Sequence, residues 1–241
     1  MKTIPVRLSK EITKDDNIVD LISSVMDIDE KDIVVIAQKV ISKQEGRTIK
    51  LDSISPSLLA EGIGSQYQKD PRLIELILNE SKRIVRMRNG VIIVETKQGL
   101  ICANAGIDES NVPEGYVTLL PINPDASASR IRDYIKIKTG KNVAVIISDT
   151  FGRPFRLGQT NQAIGVSGIM PILDYEGTQD NFGRVMRVTA IAVIDEIAGV
   201  AELEMKKKEN TPVVIIRDYD YEFSDDSMTK IIRQERDDLF K

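Results

Sequence analysis

Two polar stretches, each directly after an apolar run, hold the residues best suited to chemistry. The first is Asn104-Ala105-Gly106-Ile107-Asp108-Glu109-Ser110-Asn111, and the second is Ser148-Asp149-Thr150-Phe151-Gly152-Arg153-Pro154-Phe155-Arg156-Leu157-Gly158-Gln159-Thr160. A carboxylate at the end of a buried strand is held rigidly at a cleft, where it can fix a cation that bridges phosphate oxygens. Asp108 and Asp149 are such carboxylates. Thr150 adds an oxygen beside the second, and Asn111 offers an amide to a base or ribose. Gly152 and Gly158 permit close backbone approach, while Arg153 and Arg156 can neutralise phosphate or carboxylate. Asn, Asp, Gly and Ser also favour plain turns. A turn with a capping Asp and solvated arginines weighs about equally for the second stretch, and a polar turn is the better account of the first taken alone. The pairing of two such stretches raises the functional reading. Lys43, in Ile41-Ser42-Lys43-Gln44-Glu45-Gly46-Arg47, could meet a phosphate as a point charge, although a solvated surface turn is the better account of that stretch taken alone.

Composition narrows the chemistry. The 241 residues contain no histidine, which removes histidine triads, histidine bases and histidine metal ligands. Any metal must sit on oxygen, favouring hard cations such as Mg2+ or Mn2+. The single cysteine, Cys102, cannot form an intrachain disulfide; it lies in an apolar run and reads as packing. Lys and Arg total 33 against 37 Asp and Glu, a net charge of -4 that gives no general reason to expect nucleic acid or an anionic membrane. No run approaches the roughly 20 apolar residues of a membrane span. The first residues lack the apolar core of a signal peptide, so a cytoplasmic location is expected. There is no Walker G-x-x-x-x-G-K-[ST] and no Rossmann G-x-G-x-x-G opening a helix. A hydrophobic share of 41% with aromatics at only 5% and no Trp implies a core that is mostly aliphatic.

The elements that must position these residues are legible in outline. Residues 32–38 read as a buried strand and 17–26 as a helix. Pro56-Ser57 starts a helix stopped by Gly62-Ile63-Gly64, and Asp70-Pro71 caps another that continues through Ser81 and ends near Arg88. Asn89-Gly90 is a turn, followed by strands at 90–95 and 100–103. Asp125 or Ser127 caps a helix that ends at Gly140. The most apolar strand, 142–147, stops at Ser148-Asp149-Thr150. A strand at 163–170, a helix at 189–205, a strand at 212–217 and a charged surface helix or tail from Ser224 complete the chain. The expected fold is mixed α/β (α+β), with approximate divisions at 1–88, 89–223 and 224–241.

In this order the segments resemble the coenzyme F420-0:L-glutamate ligase (F420 gamma-glutamyl ligase) family. The resemblance rests on Val40-Ile41-Ser42-Lys43-Gln44-Glu45-Gly46-Arg47, Lys69-Asp70-Pro71-Arg72, Cys102-Ala103-Asn104-Ala105-Gly106-Ile107-Asp108-Glu109-Ser110-Asn111-Val112, Pro124-Asp125-Ala126-Ser127-Ala128 and Ser148-Asp149-Thr150-Phe151-Gly152-Arg153-Pro154. Ala163-Ile164-Gly165-Val166-Ser167-Gly168, Asp174-Tyr175 and Phe182-Gly183-Arg184 extend it. It implies an unusual two-domain fold, a homodimer, and GTP-dependent addition of L-glutamate to coenzyme F420-0 through an acyl phosphate. The product would be F420-1 and then gamma-linked F420-2, with Mg2+ or Mn2+ and K+ as cofactors. By motif, Asp108 and Asp149 would hold one metal and Thr150 another. Asn111, Lys43, Gln38 and Lys39 would contact GTP, as would Ser9, Lys10, Glu11 and Ile12. Leu203, Glu204, Met205, Lys206, Lys207, Lys208, Glu209 and Asn210 stand where the family has a Met-Gly nucleotide loop, with Lys206 also at a metal position. The lysine in place of that glycine is the main departure. Arg153, Arg156 and Arg184 are candidates for the anionic substrate; no general base is assigned. Two alternatives stay open: a ligase of the same family with another carboxylate acceptor, and a non-catalytic GTP-binding regulator.

Overall fold

The computed structural model describes residues 1–206 and 210–238. In chain order it contains β1 (Lys2–Val6), α1 (Ile18–Val25), β2 (Ile33–Ala37), α2 (Gln38–Gln44), β3 (Thr48–Lys50), α3 (Leu58–Tyr67), α4 (Pro71–Asn79), β4 (Ser81–Arg88), β5 (Val91–Thr96), β6 (Ile101–Ala103), β7 (Tyr116–Thr118), α5 (Pro124–Thr139), β8 (Ala144–Gly152), β9 (Gln159–Ser167), β10 (Leu173–Asp174), β11 (Ala190–Ile191), α6 (Val193–Met205) and β12 (Val213–Arg217). The mixed α/β class is borne out. A five-stranded sheet has the order β1-β12-β2-β8-β9, in which only β2 and β8 run parallel. Its inner strands are continuous β-branched runs, as expected where both faces of a sheet are covered. Ile33 to Ile36, Ala144 to Ile147 and Val213 to Ile216 are all buried. Helices α5 and α6 both pack on β9, and α6 also touches β1 and β12.

Buried apolar side chains form two clusters. The larger surrounds the five-stranded sheet; the smaller joins α3 and α4 to β5 and β7 through Ile63, Ile74, Ile77, Ile92, Val94 and Val117. Both are aliphatic, as the composition requires. The Arg47 guanidinium links the chain after α2 to the segment after β7 and to the end of α4, donating from Nε to Leu120 O at 3.0 Å and pairing with Glu80 at 2.6 Å. The fully buried Asp32 receives Arg217 through both oxygens at 2.9 and 2.7 Å. No helix among the described residues is long and apolar enough to cross a membrane.

Two expected helix ends are present: Asp70 accepts from Arg72 N–H with Pro71 at the first helical position, and Gly140 ends α5 with a left-handed φ of 74°. Asn17, read as part of the first helix, is its N-cap and accepts from Val19 N–H. Other expectations are corrected. Gly62 and Gly64 do not stop α3, which runs on to Tyr67. A Cβ at Gly64 would lie 2.9 Å from Lys69 O, so this glycine serves the close approach of α4, not termination. Residues 81–88 are strand β4 and not the end of a helix; they pair with β5 around the Asn89-Gly90 turn. The cap of α5 is Asn123, not Asp125 or Ser127. Gln38, read as the end of a strand, and residues 41–44, read as part of a surface turn at 41–47, belong to helix α2. β8 does not stop at Ser148: it continues through Asp149 and Thr150 into a long hairpin with β9. Among the described residues after Ser224 there is no long surface helix but two short 3-10 turns, Met228–Ile231 and Glu235–Asp237, and the segment is not loosely held throughout, since Met228 is buried in the main core.

Candidate active site

Helix α2 springs directly from β2, with Ala37 serving both as the last strand residue and as helix N-cap. Lys39 and Lys43, four residues apart, fall on one helical face. Both reach the loop after β6. Lys39 Nζ pairs with Asp108 Oδ2 at 2.5 Å and donates to Ser110 Oγ at 2.6 Å and Ser110 O at 3.0 Å. Lys43 Nζ donates to Asn111 O at 2.6 Å and pairs with Glu11 Oε1 at 2.5 Å. The loop is fixed from within as well: Ser110 N–H donates to Asp108 Oδ1 at 2.6 Å, and Asp108 bridges by backbone to Thr118. Asn111 adopts φ 55°, a left-handed conformation that Asn tolerates, and its side chain stays exposed. Burial alone would raise the Asp108 carboxyl, but Lys39 and the Ser110 donors hold it below the usual carboxylate range, so the group is an anion.

The N-terminal segment enters the same neighbourhood. Besides Glu11 on Lys43, Leu8 N–H donates to Asn210 O at 3.1 Å, tying residues 8–12 to the chain that follows α6. Ser9 is exposed, Lys10 pairs with Asp16, and Ile12 is buried in the core. Gln38 is also buried, its Oε1 taken by the Ser42 hydroxyl at 2.8 Å, so its side chain serves the helix. At the end of α6, Leu203 is exposed, Glu204 accepts from Thr3 Oγ1 at 3.1 Å, and Met205 is core. Lys206 takes φ 48° and ψ 177°, a backbone conformation proper to glycine. The lysine thus keeps the glycine-type path expected for this position. Lys207, Lys208 and Glu209 lie outside the described residues.

Asp149 and Thr150 stand on β8 just past Ser148, the parallel partner of Ala37, and so beside the start of α2. Successive strand residues face opposite sides. Thr150 Oγ1 donates to Asn161 Oδ1 at 2.6 Å, and Asn161 Nδ2 donates to Ser148 Oγ at 3.3 Å, so 148, 150 and 161 share one face. Asp149 shares the other with its cross-strand partner Gln162 and with Phe151. It is near enough to Cys102 to act on it: burial first, then the Asp149 charge, pushes that thiol up to about 12. Cys102 is therefore an inert packing group. Among the described residues no three acidic, histidine or cysteine side chains gather into a ready-made metal cage. The oxygen-only donors Asp108 and Asp149 fit a hard cation of the kind bound through one or two carboxylates and completed by phosphate and water.

The three arginines lie elsewhere. Arg153 and Arg156 are exposed near the tip of the β8–β9 hairpin, and Arg184 is exposed in a tight turn held by Asp180 between β10 and β11. Among the described residues no ion pair or hydrogen bond joins their side chains to the Lys39–Lys43 cluster. Sequence reasoning passed over Ser110 and Asn161, which orient Asp108 and Thr150. The Ser110 hydroxyl stands within the first motif, whereas Asn161 falls just past the second, and the partners of both depend on the fold. It also passed over Asp195. This side chain lines a cleft of about 510 Å3 between the β5–β6 hairpin, the β8–β9 ladder and residues 228–238.

The family model described as F420-0:Gamma-glutamyl ligase matches residues 7–218. The chain is 46% identical over 215 residues to a protein of Methanocaldococcus jannaschii named coenzyme F420:L-glutamate ligase, covering 89% of this chain and 86% of that one. It is 44% identical over 214 residues to a protein of the same name from Methanopyrus kandleri, covering 88% and 85%. It is 45% identical over 218 residues to that from Methanothermobacter thermautotrophicus, covering 89% and 86%. The chain belongs to the F420-0:gamma-glutamyl ligase family and is a ligase that forms carbon–nitrogen bonds.

Proposed function

We propose that this enzyme joins L-glutamate to coenzyme F420-0 to give F420-1, and by a further gamma linkage F420-2, with GTP as phosphoryl donor. A carboxylate oxygen of the acceptor attacks the γ-phosphorus, an O–P bond forms, and GDP leaves. The glutamate amine then attacks the acyl carbon, a C–N bond forms, phosphate leaves with the electrons of the broken C–O bond, and the amine proton passes to solvent or phosphate. The observation that carries this reading is the convergence of Lys39, Lys43, Asp108 and Asn111 with residues 8–12 and 210 in one neighbourhood, on a chain of this family.

In this reading Lys39 and Lys43 draw the nucleotide phosphates to the loop they already brace, and the Asn111 amide addresses ribose or base. Asp108 and Asp149 hold a divalent cation, Mg2+ or Mn2+; Thr150, on the opposite face from Asp149, belongs with Lys206 to a second cation position and K+. Such cations spread the charge of the transferring phosphoryl group. Arg153, Arg156 and Arg184, on projecting segments, meet the anionic acceptor as it enters. Phe155, Leu157, Phe182 and Val188 are exposed on those same segments, which supports a homodimer in which a second copy covers them. We place the enzyme in the cytoplasm.

Incubation with F420-0, GTP, L-glutamate and Mn2+ is expected to add one or two glutamyl units by mass, with matching GDP release. Absence of any ligated product under these conditions overturns the reading. Asp149→Asn removes the charge with little change of volume, so turnover is expected to vanish while the circular dichroism of the fold is kept. Full activity of that variant at ordinary metal concentration would sink the metal assignment.

A further inference from the structure

The cleft beside β8 has a composition that the nucleotide reading leaves unused. Its floor holds Phe151 and Gln162, both on Asp149's face of the β8–β9 ladder. Ile101 of β6 forms one wall, Asp195 of α6 another, and Met228 and Arg233 of the C-terminal segment a third. Asp195 is placed there by a β-bulge: Ile147 pairs with Gly165 but Ser148 with Ala163, leaving Ile164 extra. The irregularity turns the Ala163 N–H out of the ladder, and Asp195 Oδ1 accepts it at 2.8 Å. Its other oxygen has no partner, and no cation pairs with it, among the described residues. Burial pushes this carboxyl up, and the Ala163 hydrogen bond offsets that only in part. Arg233 likewise makes no ion pair among the described residues and is exposed to the cleft. One unpaired anion and one unpaired cation across a partly apolar cleft match the ammonium and one carboxylate of a small amino acid.

We propose that this cleft is the site for the incoming amino acid, with Asp195 receiving the ammonium of L-glutamate and Arg233 a carboxylate. The inference rests on the ligase reading above and adds the place where the nucleophile waits, on the side of the sheet that carries Asp149. Asp195 orients the amino group in this scheme: it holds the ammonium so that, once one proton has passed to solvent, the nitrogen lone pair meets the acyl carbon as the C–O bond to phosphate breaks and phosphate leaves with that bond's electrons. Arg233 lies beyond residue 218, where the family match ends, so part of this site is supplied by a segment the family model does not cover.

The test is steady-state kinetics of the full chain with F420-0, GTP and Mn2+, varying glutamate. Asp195→Asn retains an oxygen for the Ala163 N–H, so the fold should persist, and its melting temperature verifies this. The KM for glutamate is expected to rise about tenfold or more, the loss of a charge-assisted contact, with the KM for GTP unchanged. Arg233→Gln, an exposed change that cannot unfold the core, should raise the same KM severalfold, while Lys230→Gln, outside the cleft, should not. Hydroxylamine, a small neutral nucleophile, traps an acyl phosphate as a hydroxamate, and in Asp195→Asn this trapping should fall far less than amide formation. If the unaltered enzyme gives no hydroxamate and no GDP, the acyl-phosphate reading fails. If it gives both and neither variant changes the glutamate KM, or the KM for F420-0 rises instead, the amino-acid site is wrong.

Discussion

Gly165→Ala tests how closely α5 must press on β9. A Cβ at Gly165 would lie 2.4 Å from Pro124 C, 2.5 Å from Pro124 Cβ and 2.6 Å from Pro124 O. These atoms belong to the first residue of α5 and are mostly backbone, so no side-chain rotation relieves the clash. Overpacking of this kind costs about 1–3 kcal/mol, and an immovable neighbour places it at the upper end. A second loss follows. Asp125, next in the helix, accepts from Val166 N–H at 2.8 Å and from Met228 N–H at 3.2 Å. Shifting the helix away from β9 stretches both bonds, each worth about 1 kcal/mol. For a chain of this length each kcal/mol lowers the melting temperature by roughly 2–4 °C, so a fall on the order of 10 °C is expected. With no Trp in the chain, far-ultraviolet circular dichroism is the suitable readout. Gly62→Ala is the control: nothing lies within 4 Å of its Cβ, and it sits inside α3. Alanine is favoured over glycine there by about 1 kcal/mol, so that variant should melt no lower than the parent. If Gly165→Ala melts within about 2 °C of the parent, the close approach of α5 to β9 is wrong, and with it the anchoring of Met228 beside the cleft.

Lys206→Gly should stabilise the protein. The backbone conformation costs a non-glycine residue about 1–3 kcal/mol, partly offset by the greater freedom of glycine in the unfolded chain, so a rise of a few degrees is expected, and no rise would show that the position is unstrained. Asp108→Asn should reveal a pH-dependent difference when both proteins are melted with chelator present. The folded Asp108 carboxyl is held below its ordinary 3.8, so its contribution is complete above that value and lost as pH falls through the lower folded value. The gap in melting temperature should therefore be steady near neutrality and close below 3.8; a gap that persists undiminished in acid would remove Lys39 and Ser110 as the cause.

The parts of this fold that could be read in the sequence are those whose signals are local. Asn17, Asp70-Pro71 and Gly140 satisfy helix ends through their own atoms, and Asn89-Gly90 makes a turn irrespective of what surrounds it. Where tertiary contacts decide, local signals misled. Gly64 looks like a helix stop, yet it is where the chain entering α4 at Lys69 and Pro71 folds back closely on α3. The strand Ser81–Arg88 carries bulges at which its register against β5 shifts, and these blur its alternation. β2 passes into α2 with no turn residue between them, so a helix that carries two site lysines looked like a surface loop. Several motif residues that carried the family resemblance also prove to be braces: Glu45 pairs with Arg130 at 2.6 Å, Arg47 with Glu80, and Asp125 joins α5 to β9 and to Met228. A motif thus marks where a fold is pinned as readily as where it reacts. Telling the two apart requires knowing which polar atoms the fold leaves without a partner, and that is why Asp195, ordinary in sequence as an acid in the first turn of a helix, stands out only once Ala163 and the bulge beneath it are in place.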